Sequence, residues 1–119
     1  MAGHNDLGKL GEEIAIEFLR QEGYSILETN WFFDKAEIDI IARKGNTLSV
    51  VEVKTRSSED FGLPHEFVNH KKIRLLVKAV DAYVIGRDLD VDVRFDIIGI
   101  HKVDTGYKVT HLADAFFYF

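Results

Sequence analysis

Residues 36–55 read Ala36-Glu37-Ile38-Asp39-Ile40-Ile41-Ala42-Arg43-Lys44-Gly45-Asn46-Thr47-Leu48-Ser49-Val50-Val51-Glu52-Val53-Lys54-Thr55, and this stretch decides the fold. Two runs rich in β-branched residues flank Gly45-Asn46, a pair that tolerates positive φ in a tight turn. The pattern predicts an antiparallel hairpin in which Lys44 faces Thr47, Arg43 faces Leu48, Ile41 faces Val50, Asp39 faces Glu52 and Glu37 faces Lys54. Side chains alternate along a strand, so the pairs made by Arg43, Ile41, Asp39 and Glu37 fall on one face. Two carboxylates are then directly opposed, roughly 5 Å apart at Cβ. Opposed like charges destabilise a strand pair unless a divalent cation or a trapped proton neutralises them.

Working outward, Leu7, Leu10, Ile14 and Phe18 recur at helical spacing, with Ala15 and Leu19 widening the stripe, and predict an amphipathic helix over 7–22. Asp6 is placed as its N-cap and Gly23 as its C′ residue. At ~100° per residue, Glu12 lies at the edge of the apolar stripe beside Leu19, while Glu13 points away. Tyr24 to Phe32 has strand composition. Beyond the hairpin, Arg56 to His65 carries Gly62 and the only proline, Pro64, and is a natural place for a mobile loop. A second helix is predicted from about Asn69 to Ile85, ended by Gly86. A strand follows over Val91 to His101, with Val91, Val93, Phe95 and Ile97 on one face and Asp92, Arg94, Asp96, Ile98 and Ile100 on the other. A last strand runs from Tyr107 to Leu112. The terminal aromatics Phe116 to Phe119 either cap the core or dock on a second subunit. The order α-β-β-β-α-β predicts one α/β domain over 1–119, with helices packed on a mixed sheet.

Composition narrows the function classes. The chain has 119 residues, enough for one core, with 46% hydrophobic and 29% charged residues. No apolar run approaches the ~20 residues of a membrane span, and Met1 to Asp6 lacks the features of a secretory signal. The absence of cysteine excludes disulfides, thiolate zinc sites and cysteine nucleophiles. A cytoplasmic location is the default expectation. The net charge of −5 is the wrong sign for coating nucleic acid non-specifically. Even so, Lys54, Arg56, Lys71, Lys72, Arg74 and Lys78 outnumber Glu59, Asp60 and Glu66 within one segment. One side of the molecule is therefore expected to be locally positive.

Asp39, Glu52 and Lys54 form the strongest chemical constellation. Two hard oxygen ligands suit Mg²⁺ or Mn²⁺, which keep several waters and bind substrate phosphate at the same time. Lys54, two residues beyond Glu52, projects from the same face and suits orienting or deprotonating water and stabilising charge on a phosphoryl oxygen. It also favours two ionised carboxylates over a trapped proton, because a nearby cation lowers their pKa values. Glu12 is a candidate third acid. The competing structural reading is a surface face holding cross-strand pairs such as Glu37–Lys54. The histidines show no metal-ligand spacing. No dinucleotide or phosphate-loop glycine motif is present, and no aromatic sugar platform lies near the acids.

These residues resemble the D…(E)xK signature of the PD-(D/E)xK nucleases, the restriction-endonuclease-like fold, whose core order is the one read above. Nearly the whole chain is similar to the YraN-like family of small bacterial proteins, through Gly11-Glu12 with Ala15, Glu37-Ile38-Asp39, Val51-Glu52-Val53-Lys54 with Arg56, Lys71 opening the second helix, and Arg94-Phe95-Asp96. The resemblance implies that Asp39, Glu52 and the Val53 carbonyl hold the metal and that Lys54 is the catalytic lysine. It makes Glu12 the helix-borne acid also seen in archaeal Holliday-junction resolvases. Ile38 stands where the superfamily pattern has proline, and Ala36 where this family usually has glycine.

The leading expectation is a Mg²⁺- or Mn²⁺-dependent endonuclease acting on DNA, on branched or damaged forms, with Arg56, Lys71, Lys72 and Arg74 contacting phosphates without reading sequence. The alternatives are a catalytically silent nuclease-fold module that binds nucleic acid and an interaction protein that forms a homodimer through its aromatic tail. The acidic net charge also leaves room for a protein partner that delivers the substrate.

Overall fold

A computed structural model describes residues 4–56 and 70–115. The expected mobile loop beyond Arg56 and the aromatic tail from Phe116 lie outside the described residues. In chain order the elements are α1 (His4–Gln21), β1 (Ser25–Phe33), β2 (Ala36–Lys44), β3 (Thr47–Arg56), α2 (His70–Gly86), β4 (Asp92–Val103) and β5 (Gly106–Leu112). The expected α-β-β-β-α-β order is therefore present, with β5 added at the end. The five strands form one sheet in sequence order; β3 and β4 are parallel and every other neighbouring pair is antiparallel. The α2 crossover between β3 and β4 makes that parallel pairing possible.

A central strand of such a sheet is covered on both faces, and β3 accordingly reads as a near-continuous apolar run, buried from Leu48 to Glu52. On one face α2 contributes Ile73, Leu76, Ala79, Val80 and Tyr83, packed with Ile38, Ile41, Leu48, Val50 and Ile97. On the other, Ala15 and Leu19 of α1 pack with Ile40, Ala42, Val51, Ile98 and Ile100. Each such aliphatic side chain, once fully buried, contributes about 1.5–3 kcal/mol. The alternation predicted for the fourth strand holds, since Ile97 faces α2 while Ile98 and Ile100 face α1.

The helix ends depart from expectation in instructive ways. Asp6 lies inside α1 instead of capping it, because the helix begins at His4. The α1 C-terminus is as predicted: Gly23 takes φ +95°, its N–H donates to the Arg20 carbonyl at 3.0 Å, and the Tyr24 N–H donates to the Leu19 carbonyl at 2.9 Å. Gly86, by contrast, is still helical, and the left-handed residue that ends α2 is Asp88, at φ +52°. The Asp88 N–H reaches the Ile85 carbonyl at 3.1 Å and the Leu89 N–H the Val84 carbonyl at 3.0 Å. Aspartate is among the few residues that accept this conformation, so the nearest glycine was the wrong marker.

One charged residue is wholly enclosed. Asp96 in β4 has no solvent exposure, and it is satisfied on every side. Ser49 Oγ donates to its Oδ2 at 2.5 Å, Arg94 Nε to Oδ1 at 2.9 Å, Arg94 Nη2 to Oδ2 at 2.8 Å and the Asp114 N–H to Oδ1 at 3.0 Å, while His111 Nε2 lies 2.9 Å from Oδ2. Arg94 Nη2 also donates to the Tyr24 hydroxyl at 2.7 Å, which ties the end of α1 to the sheet. Burial pushes the Asp96 carboxyl up, but the bonds from His111, Arg94, Ser49 and the Asp114 amide prevail and hold it at about 2, below its ordinary 3.8. A depressed carboxylate contributes stability that is complete above the unfolded value and is lost as pH falls through the folded one. Asp96→Asn is therefore expected to cost about 3–5 kcal/mol in urea unfolding at pH 7, by leaving Arg94 with no carboxylate in the core. It should also remove the part of the acid destabilisation of the wild type that falls between pH 4 and 2.

Candidate active site

The hairpin is the predicted one for five pairs and then stops. Lys44 pairs with Thr47, Arg43 with Leu48, Ala42 with Ser49, Ile41 with Val50 and Ile40 with Val51. The expected Asp39–Glu52 and Glu37–Lys54 pairs do not form. Strict alternation also fails in β2: Ala36, Ile38 and Ile41 pack on the α2 side, but Ile40 and Ala42 pack on the α1 side. The face changes at Asp39. On the other flank of β2, the pairs Thr29–Ile40 and Trp31–Ile38 leave Asn30 and Asp39 between them, and Asn30 sits at φ +50°. Both ladders of β2 are thus distorted at the same level.

The distortion has a side chain as its partner. Asp39 Oδ2 accepts a hydrogen bond from the Val53 N–H at 2.8 Å. A carboxylate takes the amide that a backbone carbonyl would hold in an unbroken ladder. β2 and β3 separate beyond this point, and two hollows open beside the gap. One, of about 310 Å³, lies on the α2 side among Lys35, Ala36, Glu37, Lys72, Leu75 and Leu76; Asp39 and Glu52 form its floor. The other, of about 330 Å³, lies toward α1, where Glu12, Lys54, Thr55 and Arg56 surround the same two carboxylates. Asp39 and Glu52 therefore stand between the hollows at the carboxyl end of β3, the position where open α/β sheets present ligand sites.

The charges divide unevenly. Lys54 Nζ lies 3.2 Å and Lys72 Nζ 2.8 Å from the same Glu52 oxygen, Oε2. Among the described residues, no cation pairs with Asp39. Burial pushes its carboxyl up, Glu52 beside it pushes further, the Val53 amide lowers it, and Glu12 and Glu37 add to the rise; the result is about 7 against an ordinary 3.8. The expectation that Lys54 keeps both carboxylates ionised is thus corrected. Both ammonium groups go to Glu52, so without a cation Asp39 holds its proton to near neutrality.

The other expected site residues sort clearly. Glu12 reaches the α1-side hollow from the helix, as predicted, while Glu13 is exposed. Lys71 and Arg74 are exposed on α2, suited to phosphate contact. Lys72, expected among them, turns inward to Glu52. Arg56 is part-buried, with Nη1 donating to the Thr55 carbonyl at 3.0 Å. A close approach not read from the sequence sets α1 on β3: a Cβ added at Gly11 overlaps the Thr55 hydroxyl. A glycine inside an amphipathic helix was the available signal.

Among the described residues, no three acidic or histidine side chains converge closely enough to cage a metal ion. Two carboxylates with mutual repulsion still fit a hard ion that retains most of its water, as Mg²⁺ does. Asp39 and Glu52 are the residues that would hold such an ion, with Val53 and Glu12 lining the same hollow.

The model of uncharacterised protein family UPF0102 matches residues 11–100. A UPF0102 protein of Flavobacterium psychrophilum is 62% identical over 119 residues, covering 100% of both chains. One of Christiangramia forsetii is 59% identical with the same coverage. One of Parabacteroides distasonis is 50% identical over 118 residues, 98% of this chain and 97% of its own. Among solved structures, Pyrococcus furiosus SfsA in complex with Ca²⁺ aligns with 91% of this chain and 62% of its own, at 16% identity and a TM-score of 0.37, too slight a likeness to build on.

Two outcomes test this geometry. A raised carboxyl pKa favours the folded state at low pH and is lost as pH rises from 3.8 through about 7. Asp39→Asn keeps the acceptor for Val53 and removes the charge, so in metal-free buffer it should stabilise the protein by about 2 kcal/mol at pH 8 and not at pH 4, allowing for partial solvent screening. Gly11→Ala should destabilise by about 1–3 kcal/mol through overpacking, and Thr55→Ala in the same chain, which removes the hydroxyl that the new Cβ overlaps, should recover part of the loss in urea unfolding.

Proposed function

The chain belongs to the UPF0102 family, the YraN-like proteins, and we propose that it is a metal-dependent endonuclease hydrolysing phosphodiester bonds in DNA, branched or damaged DNA included. The observation that carries this reading is the pair Asp39 and Glu52, left without a strand ladder between two open hollows, with a lysine from the same strand beside them. A plain strand pair gains nothing from such an arrangement. It exposes the ends of two strands and keeps a carboxyl proton near neutrality.

In this reading Asp39, Glu52 and the Val53 carbonyl hold Mg²⁺ or Mn²⁺, whose chemistry is Lewis-acid polarisation of a water and of a phosphoryl oxygen. Lys54, 3.2 Å from Glu52, places an ammonium where charge grows on the phosphoryl group. Glu12 presents a carboxylate from the opposite wall of the α1-side hollow, suited to orienting water. Lys71 and Arg74 on the exposed side of α2, with Arg56 at the end of β3, provide sequence-independent phosphate contacts that offset the acidic net charge of −5. No helix among the described residues is long and apolar enough to cross a membrane.

A panel of labelled linear, flapped and four-way DNA substrates with Mg²⁺ or Mn²⁺ tests the activity. Cleavage should fall at least about 100-fold in Asp39→Ala, Glu52→Ala and Lys54→Ala, the scale on which removing charge-stabilising groups acts. Cleavage that survives Asp39→Ala, or no cleavage of any substrate, rejects the enzyme reading. DNA binding without cleavage, weakened by salt and by Lys71→Gln, would favour the silent module instead. Because the metal competes with the Asp39 proton, Mn²⁺ affinity by calorimetry should rise about tenfold per pH unit up to about 7 and then level off.

A further inference from the structure

Lys72 stands apart from its basic neighbours. On α2, Lys72, Leu75 and Leu76 are spaced to share one side of the helix, and all three line the α2-side hollow. Lys71 and Arg74 point to solvent. The Lys72 ammonium makes the shorter of the two ion pairs to Glu52, 2.8 Å against 3.2 Å for Lys54, on the same oxygen. Its side chain nevertheless remains 39% exposed, whereas that of Glu52 is 10% exposed. The carboxylate is nearly enclosed, whereas the ammonium reaches it from the α2-side hollow and keeps contact with solvent.

From this geometry we propose that Lys72 is a positioning residue that couples metal to substrate: it holds Glu52 Oε2 while the site lacks a cation, and a nucleic-acid phosphate entering the α2-side hollow takes over its ammonium. The inference rests on the metal-site reading above and adds a role for a residue outside the Asp39, Glu52 and Lys54 set. The physical reason is competition. A divalent ion and two ammonium groups cannot all lie close to one carboxylate without mutual repulsion, so Lys72 weakens metal binding for as long as its ammonium stays on Glu52. A backbone phosphate is a competing anion for that ammonium, and it is carried by the substrate. Linkage then requires reciprocity: the ion strengthens nucleic-acid binding by the same factor as nucleic acid strengthens ion binding. Lys54 does not play this part. It belongs to β3 itself and lines the other hollow, facing Glu12.

The test uses the full chain as wild type, Lys72→Met, Lys72→Gln and Lys72→Arg. Thermal unfolding of each confirms the fold. Mn²⁺ titrated calorimetrically without nucleic acid should bind about tenfold more tightly to the Met and Gln variants than to wild type, with Arg close to wild type, a coupling of ordinary size. A fluorescent flapped DNA, titrated in Ca²⁺ and in chelator, should show ion-enhanced binding in wild type that shrinks to near unity in the Met variant. If folded Met and Gln variants bind Mn²⁺ no more tightly than wild type, the inference is overturned while the metal site stands. The same holds if the Ca²⁺ enhancement persists undiminished in the Met variant. If wild type takes up no Mn²⁺, or takes it up equally well as Asp39→Asn, the metal-site reading fails and the coupling fails with it.

Discussion

The structure turns on a single substitution of hydrogen-bond partners: the Val53 amide bonds to the Asp39 carboxylate, at 2.8 Å, in the place a strand carbonyl would occupy. Backbone amides in a sheet must be satisfied, so a ladder can end inside a domain only where something else accepts the bond. Asp39 does so, and two consequences follow from the one contact. The strands are free to part, which opens a hollow on each side, and the carboxylate that frees them is fixed facing Glu52. Opening the site and charging it are the same event.

The rest of the fold supplies what that gap needs from both sides. Because β3 is central and covered on both faces, each helix can send one side chain toward the end of the strand. From α1 comes Glu12, made possible by the close seat of Gly11 on Thr55; from α2 comes Lys72. The parallel β3–β4 pairing matters here. It is unbroken for ten residue pairs, from Thr47–Asp92 to Arg56–His101, so β3 stays straight and anchored while β2 peels away from its other edge.

Much of this was legible in the sequence. The element order, the two faces of β4, the first five hairpin pairs and the inward turn of Glu12 all follow from periodicity and turn chemistry. Three features were not. Period-two alternation predicts a regular ladder through Asp39, because it carries no signal for a side chain that replaces a backbone acceptor. The partition of charge was hidden for a related reason: Lys54 was read against the nearest acids in the strand pair, whereas its partner is settled by a second lysine arriving from a helix. The end of α2 was misplaced by a glycine two residues too early, since Asp88 takes the left-handed conformation at small cost.

Two aspartates in the same sheet make the final distinction between structure and site. Asp96 has no exposure and four groups turned toward it, and it is held at about 2. Asp39 is less enclosed and, among the described residues, accepts from the Val53 amide alone, with Glu52, Glu12 and Glu37 all opposing its charge, and it is held at about 7. Burial acts in the same direction on both. What separates them is whether the protein itself completes the carboxylate's coordination. Where it does, the charge is part of the fold and has nothing left to offer a ligand; where it does not, the carboxylate keeps an unbalanced charge that the proposed metal would neutralise. Of these two carboxylates one stabilises the fold and the other is left uncompensated, and it is on the second that the proposed phosphodiesterase site depends.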